Sequence, residues 1–173
     1  MVRRLRVDVR LATQVLVLQL AVVTFTLGIA GGLLAYLSHE RLAAQYENQS
    51  LDTARAIAFA PAVRANVARY ENVALTPSPA VIDELANGPL QKLANEIQQR
   101  TGVLFVVITN NAGIRLTHPN RNELAQHVST DPSEVLVGRE QVMRQSGTLG
   151  PSVRAKVPVL APDSDRVIGE VSI

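Results

Sequence analysis

The chain has 173 residues, a formal net charge of +2 and 47% apolar residues, which suits one domain of ordinary size with accessory segments. It contains no cysteine, and this excludes disulfides, thiolate zinc sites and a cysteine nucleophile. The positive charge is concentrated in "MVRRLRVDVR" at the start, where four arginines against one aspartate give +3 and leave −1 for the rest of the chain; so neutral a remainder argues against nucleic-acid binding.

Residues 1–10 form this basic tail, and residues 11–37, "LATQVLVLQLAVVTFTLGIAGGLLAYL", contain no Asp, Glu, Lys or Arg. About 20 apolar residues cross a bilayer as a helix, so the segment can span with some tilt. A secretory signal peptide has a shorter apolar core of about 7–15 residues, and no small-x-small cleavage pattern directly follows this run. A retained transmembrane helix is therefore expected. The arginines before it hold the tail in the cytoplasm by the positive-inside rule, which puts residues from about 38 onward outside the membrane.

The extracytoplasmic part, 38–173, divides by pattern. Over 38–72, Leu42, Tyr46, Leu51, Ala54, Ile57 and Ala58 recur at helical spacing and predict a long helix. Pro61 should kink or divide it, with a shorter helix ending near Tyr70. Ser78 before Pro79 suits the start of a helix over about 80–100, although Gly88-Pro89 threatens a break within it. At 103 the period changes. "VLFVVIT" (103–109) has the composition of a buried strand, and "NNAG" supplies the turn for a hairpin return through 114–118. "DPSEVLVG" predicts a short helix capped by Asp131 or Ser133, and 140–146, 152–160 and 166–173 read as three further strands. The fold class is α+β: a transmembrane helix, then a long helix packed on a central antiparallel sheet, with 103–173 as the sheet region. The sequence stops in mid-strand, so a parent chain continuing into a second membrane span is expected.

Two clusters carry chemistry. "GIRLTHPN" places Arg115 and His118 just after a strand and turn, and "VRAKVP" places Arg154 and Lys156 at i and i+2, on one face of a strand. Taken singly, the first pair fits an exposed hairpin end and the second a solvent-facing edge strand that deters aggregation. Jointly they suit an anion site. Arginine offers a planar fork that holds a carboxylate bidentately, and lysine a compact point charge. Four such groups in one concavity would repel one another without an anion. A charged role for His118 would make affinity fall as pH rises through the histidine's titration. His39 is read as solvated at the membrane surface. His118 with His127 would lack a third metal ligand, so no metal or cofactor is expected.

The order of basic tail, apolar helix, long helix, "FVVITNNAGIRLTHPN", "SGTLGPSVRAKVPV" and "DRVIGEVSI" resembles the extracytoplasmic sensor region of the citrate and C4-dicarboxylate sensor histidine kinases, a single-Cache, PAS-like fold. The resemblance covers the whole chain. It implies that Arg115, His118, Arg154 and Lys156 hold the carboxylates of a small di- or tricarboxylate, with the turn at Thr148 and Leu149 and the strand residue Ser172 completing the site. Where the citrate sensors carry a strand threonine, this chain has Val107, and Thr109 two residues on can face the same side. Lys156 leans towards the citrate sensors. The family's glycines after the first motif are replaced in "ELAQHVSTDPSE". The resemblance further implies the membrane as a partner, a cognate response regulator reached through a kinase region, and no catalytic residue within this sequence. The apolar stripe over 38–60 leads us to expect a homodimer. A chemoreceptor output, or an anchored binding module without kinase output, would use the same sensor domain.

Overall fold

The computed structural model describes residues 3–73, 75–147 and 150–173. They fall into two compact units, Met1–Gln45 and Tyr46–Ile173. Helix α1 runs Arg3–Phe59. Within the first unit, Leu11–Tyr36 is long and apolar enough to cross a membrane, and none of its side chains is buried in the protein.

In the second unit, the proline punctuation acts as expected. Pro61 ends α1 and opens α2 (Pro61–Ala68) at its first turn, where a missing N–H costs nothing. Ser78 caps α3 (Pro79–Asn87), its hydroxyl accepting from the Val81 N–H at 3.3 Å. The single helix expected over 80–100 is two. Gly88 takes an extended conformation (φ −70°, ψ 166°) and Pro89 starts α4 (Pro89–Thr101), which Gly102 closes at φ 72°.

The sheet has four antiparallel strands in the order β1-β4-β3-β2: β1 Val107–Asn110, β2 Gln141–Gly147, β3 Gly150–Leu160 and β4 Val167–Ser172. The strand expected over 103–109 starts only at Val107, opposite Ser172, and the Leu104 carbonyl instead accepts from Gln98 of α4 at 2.7 Å. The hairpin return over 114–118 is not a strand either. It makes isolated bridges, Thr109 with Arg115 and Ile114 with His127, because the Ile108 carbonyl takes the N–H groups of both Leu116 and Thr117. The inserted helix, α5, is one turn (Ser133–Leu136), with Asp131 accepting from the Ser133 N–H at 2.9 Å.

Strand alternation sorts the side chains onto two faces. Ile108, Val157 and Val171 meet the helices, whose contribution is Ala54, Ile57 and Ala58 from α1, Val63 and Val67 from α2, and Leu85, Leu90 and Ala94 from α3 and α4. The lower part of the 38–60 stripe therefore packs into the domain's own core, while Tyr46 stays exposed. On the opposite face the register aligns Val107, Ser172 and Lys156 across three strands, with Thr109 and Glu170 in the next row and Arg154 flanking Lys156. That face carries the polar cluster.

Candidate ligand-binding site

The segment 110–118 is fixed by its own polar side chains. The Asn110 side-chain oxygen accepts from the N–H groups of Ala112 and Ile114 (3.1 and 3.0 Å), and Gly113 adopts φ 72° to complete the turn. The Thr117 hydroxyl accepts from the Ile108 N–H at 2.8 Å and donates to the Val106 carbonyl at 3.0 Å. Gln91 of α4 accepts from the His118 N–H at 2.9 Å. These bonds seat Arg115 and His118 over the polar face of the sheet.

A cavity of about 90 Å³ opens there. Arg115 and His118 line it from the loop side, Phe105 and Val107 from the β1 side, and Arg154, Glu170 and Ser172 from β3 and β4. Residues 128–130 form the remaining wall. Arg115, His118, Arg154 and Ser172 are thus brought together. Thr109 and Lys156 share the face but are sealed beneath it, each 0% exposed, and neither lines the cavity. Thr148 and Leu149 lie outside the described residues.

The electrostatics differ from a cluster of four bare cations. The Arg115 guanidinium donates to Glu123 at 2.8 Å. The Lys156 ammonium lies 3.4 Å from the Glu170 carboxylate and donates to the Asp131 carbonyl at 3.2 Å, so the turn before α5 closes over it. Arg154 stacks on Phe105, 5.0 Å from the ring centroid, and its Nε has no hydrogen-bond partner among the described residues. Burial lowers the pKa of Arg154, Glu170 works against that shift, and Arg115 adds to it. Burial raises the pKa of Glu170, with Lys156 and Arg154 opposing.

The His118 Nδ1 accepts from the Asn120 N–H at 3.0 Å. With Nδ1 as the acceptor, Nε2 carries the ring hydrogen and is the donor towards an anion.

A concavity walled by two arginines and a histidine, with a backing aromatic ring and a strand serine, can hold a small anion. Residues 37–173 match the family described as single Cache domain 3. The chain belongs to that family. Among curated relatives of this Cache domain, the sensor protein CitS of Halalkalibacterium halodurans is 33% identical over 147 residues, covering 82% of this chain. The sensor histidine kinase DpiB of Escherichia coli K12 is 34% identical over 85 residues, covering 49% of this chain. The chain spans 24% of the length of CitS and 15% of that of DpiB. The crystal structure of the E. coli DcuS sensor domain shares the fold, with a TM-score of 0.60 and 24% identity over 75% of this chain and 87% of that one.

Two residues of this Cache site escape a reading of the sequence. Glu170 sits in "VIGEVSI", where strand alternation marks it as a polar position on an apolar strand, a pattern that normally means solvent. The cue available was its place two residues before Ser172, on the same face as Arg154 and Lys156. Gln91 lies in a helix whose local pattern carries no hint that its amide reaches His118, 27 positions away.

Proposed function

We propose that this Cache domain is the ligand-sensing region of a two-component sensor histidine kinase and binds a small di- or tricarboxylate outside the membrane. The observation that supports this most is the convergence of Arg115, His118 and Arg154 on one cavity beside Ser172. Arg154, with its unpartnered Nε, takes a carboxylate bidentately, and His118 donates from Nε2. Arg115 and Ser172 complete the contacts. Lys156 contributes charge from beneath rather than direct contact. Its ion pair and its bond to Asp131 favour that role.

The basic tail and the apolar helix favour a cytoplasmic N-terminus with the Cache domain outside. Kinase output, a cognate response regulator and a homodimer through the exposed part of the Tyr46 helix belong to the same proposal. Ligand contact with Ser172 on β4 gives binding a means to act on that strand, in proportion to the difference in affinity between two states of the domain.

A thermal-shift screen of the 173-residue chain in detergent, against di- and tricarboxylates with acetate as control, tests the ligand class. At least one polyacid should raise the melting temperature in a saturable manner. No shift with any of them contradicts the proposal.

A further inference from the structure

Glu170 is the acidic side chain in the wall of a cavity otherwise built for an anion. It is 0% exposed, and among the described residues neither of its carboxylate oxygens has a hydrogen-bond partner. Lys156 supplies an opposite charge at 3.4 Å, and Arg154 faces it from the flanking position on β3. Charge is therefore provided for. What Glu170 lacks is a donor in hydrogen-bond geometry, and a buried acceptor without one is penalised.

A ligand carboxylate satisfies Arg154 but offers Glu170 only like charge. A ligand with a hydrogen-bond donor next to its carboxylate satisfies both. An ammonium group there would face Lys156 and Arg154, so the donor that fits is neutral. We propose that Glu170 accepts a hydrogen bond from a ligand hydroxyl, so that the site selects 2-hydroxycarboxylates over unsubstituted acids of the same carbon skeleton. Arg154 holds the carboxylate, with its guanidinium plane set by Phe105, and the neighbouring hydroxyl reaches down to Glu170. Glu170 thereby determines specificity. This rests on the carboxylate reading above.

Calorimetric titration of the full 173-residue chain in detergent decides it with matched acids: malate, succinate and aspartate, and citrate with tricarballylate. The hydroxy acid of a pair should bind at least about tenfold more tightly than its deoxy partner, because the analogue leaves Glu170 unpaired. In Glu170→Met/Lys156→Met, which removes the acceptor without stranding a buried ammonium, the ratio should fall to about one. Glu170→Gln, which keeps the shape and loses the charged acceptor, should lower the ratio at least about threefold and decides the matter should the double variant not fold. Equal affinities within a pair for the wild-type chain overturn the proposal, as does a ratio that Glu170→Gln leaves unchanged. Tighter binding of aspartate than malate overturns the choice of a neutral donor. Failure of all five acids to bind yields no ratio at all; that result overturns the carboxylate reading itself, and this inference with it.

Discussion

The Lys156 ammonium and the Glu170 carboxylate face each other at 3.4 Å with both side chains fully buried, on adjacent strands and two positions out of register. Such a diagonal pair lies within reach of long side chains across an antiparallel ladder. Removing one partner strands a charge in a dry environment. Glu170→Ala should therefore lose about 3–5 kcal/mol of stability, whereas replacing both residues by methionine should be close to neutral. Urea denaturation of the three chains measures the difference; equal losses in the single and double variants would show that the pair is not coupled.

Burial raises the pKa of Glu170, and that fixes the sign of its pH dependence. The folded chain then binds a proton more readily than the unfolded one. Stability from this group is present at acidic pH and is lost as pH rises from the ordinary carboxylate range through the folded-state value. Glu170→Gln, which stays neutral, should gain stability relative to wild type as pH rises across that window. Paired denaturation curves from pH 4 to 8 check it, and a constant or shrinking difference would reject the assignment.

Arg154 should matter for ligand and little for folding. It makes a ring contact but leaves Nε unpartnered, and Arg115 repels it. Arg154→Ala is expected to weaken carboxylate binding on the order of a hundredfold, the loss of a charge-assisted bidentate contact, while melting stays within a few degrees of wild type. Arg154→Lys should recover only part of the affinity, since an ammonium cannot reproduce the fork. Calorimetry alongside thermal melts separates the two effects.

Much of the fold was legible because it is punctuated. Ser78-Pro79, Pro61 and Gly88-Pro89 each impose a local backbone constraint that tertiary packing did not override. Strand ends were less legible, because pairing is a property of two segments. Val103 to Val106 have strand composition, yet the ladder with β4 starts at Val107. The site was half legible. Of the residues that the family resemblance singled out, Arg115, His118, Arg154 and Ser172 line the cavity, whereas Lys156 and Thr109 have the right parity but lie beneath its surface. Parity fixes a face. It does not fix depth, and nothing in "VRAKVP" reveals that the Asp131 carbonyl closes over the lysine.

Gly169 is required where β4 pairs with β1. A Cβ there would fall on the Thr109 carbonyl oxygen, with the Val67 methyl only 3.1 Å away. Neither the strand backbone nor α2 can retreat without disturbing the ladder that carries Glu170 and Ser172. Gly169→Ala should cost about 2–4 kcal/mol and weaken ligand binding indirectly. A variant as stable as wild type would show that the two strands can separate freely.

In the proposed binding mode, Arg115, His118 and Arg154 grip one carboxylate ligand in one cavity. Determining the structure of the 173-residue chain with citrate tests it most directly. The account predicts carboxylate oxygens at hydrogen-bond distance, about 2.7–3.2 Å, from the guanidinium groups of Arg154 and Arg115 and from Nε2 of His118. Citrate bound elsewhere on the domain, or a cavity left without it at saturating concentration, would contradict the account.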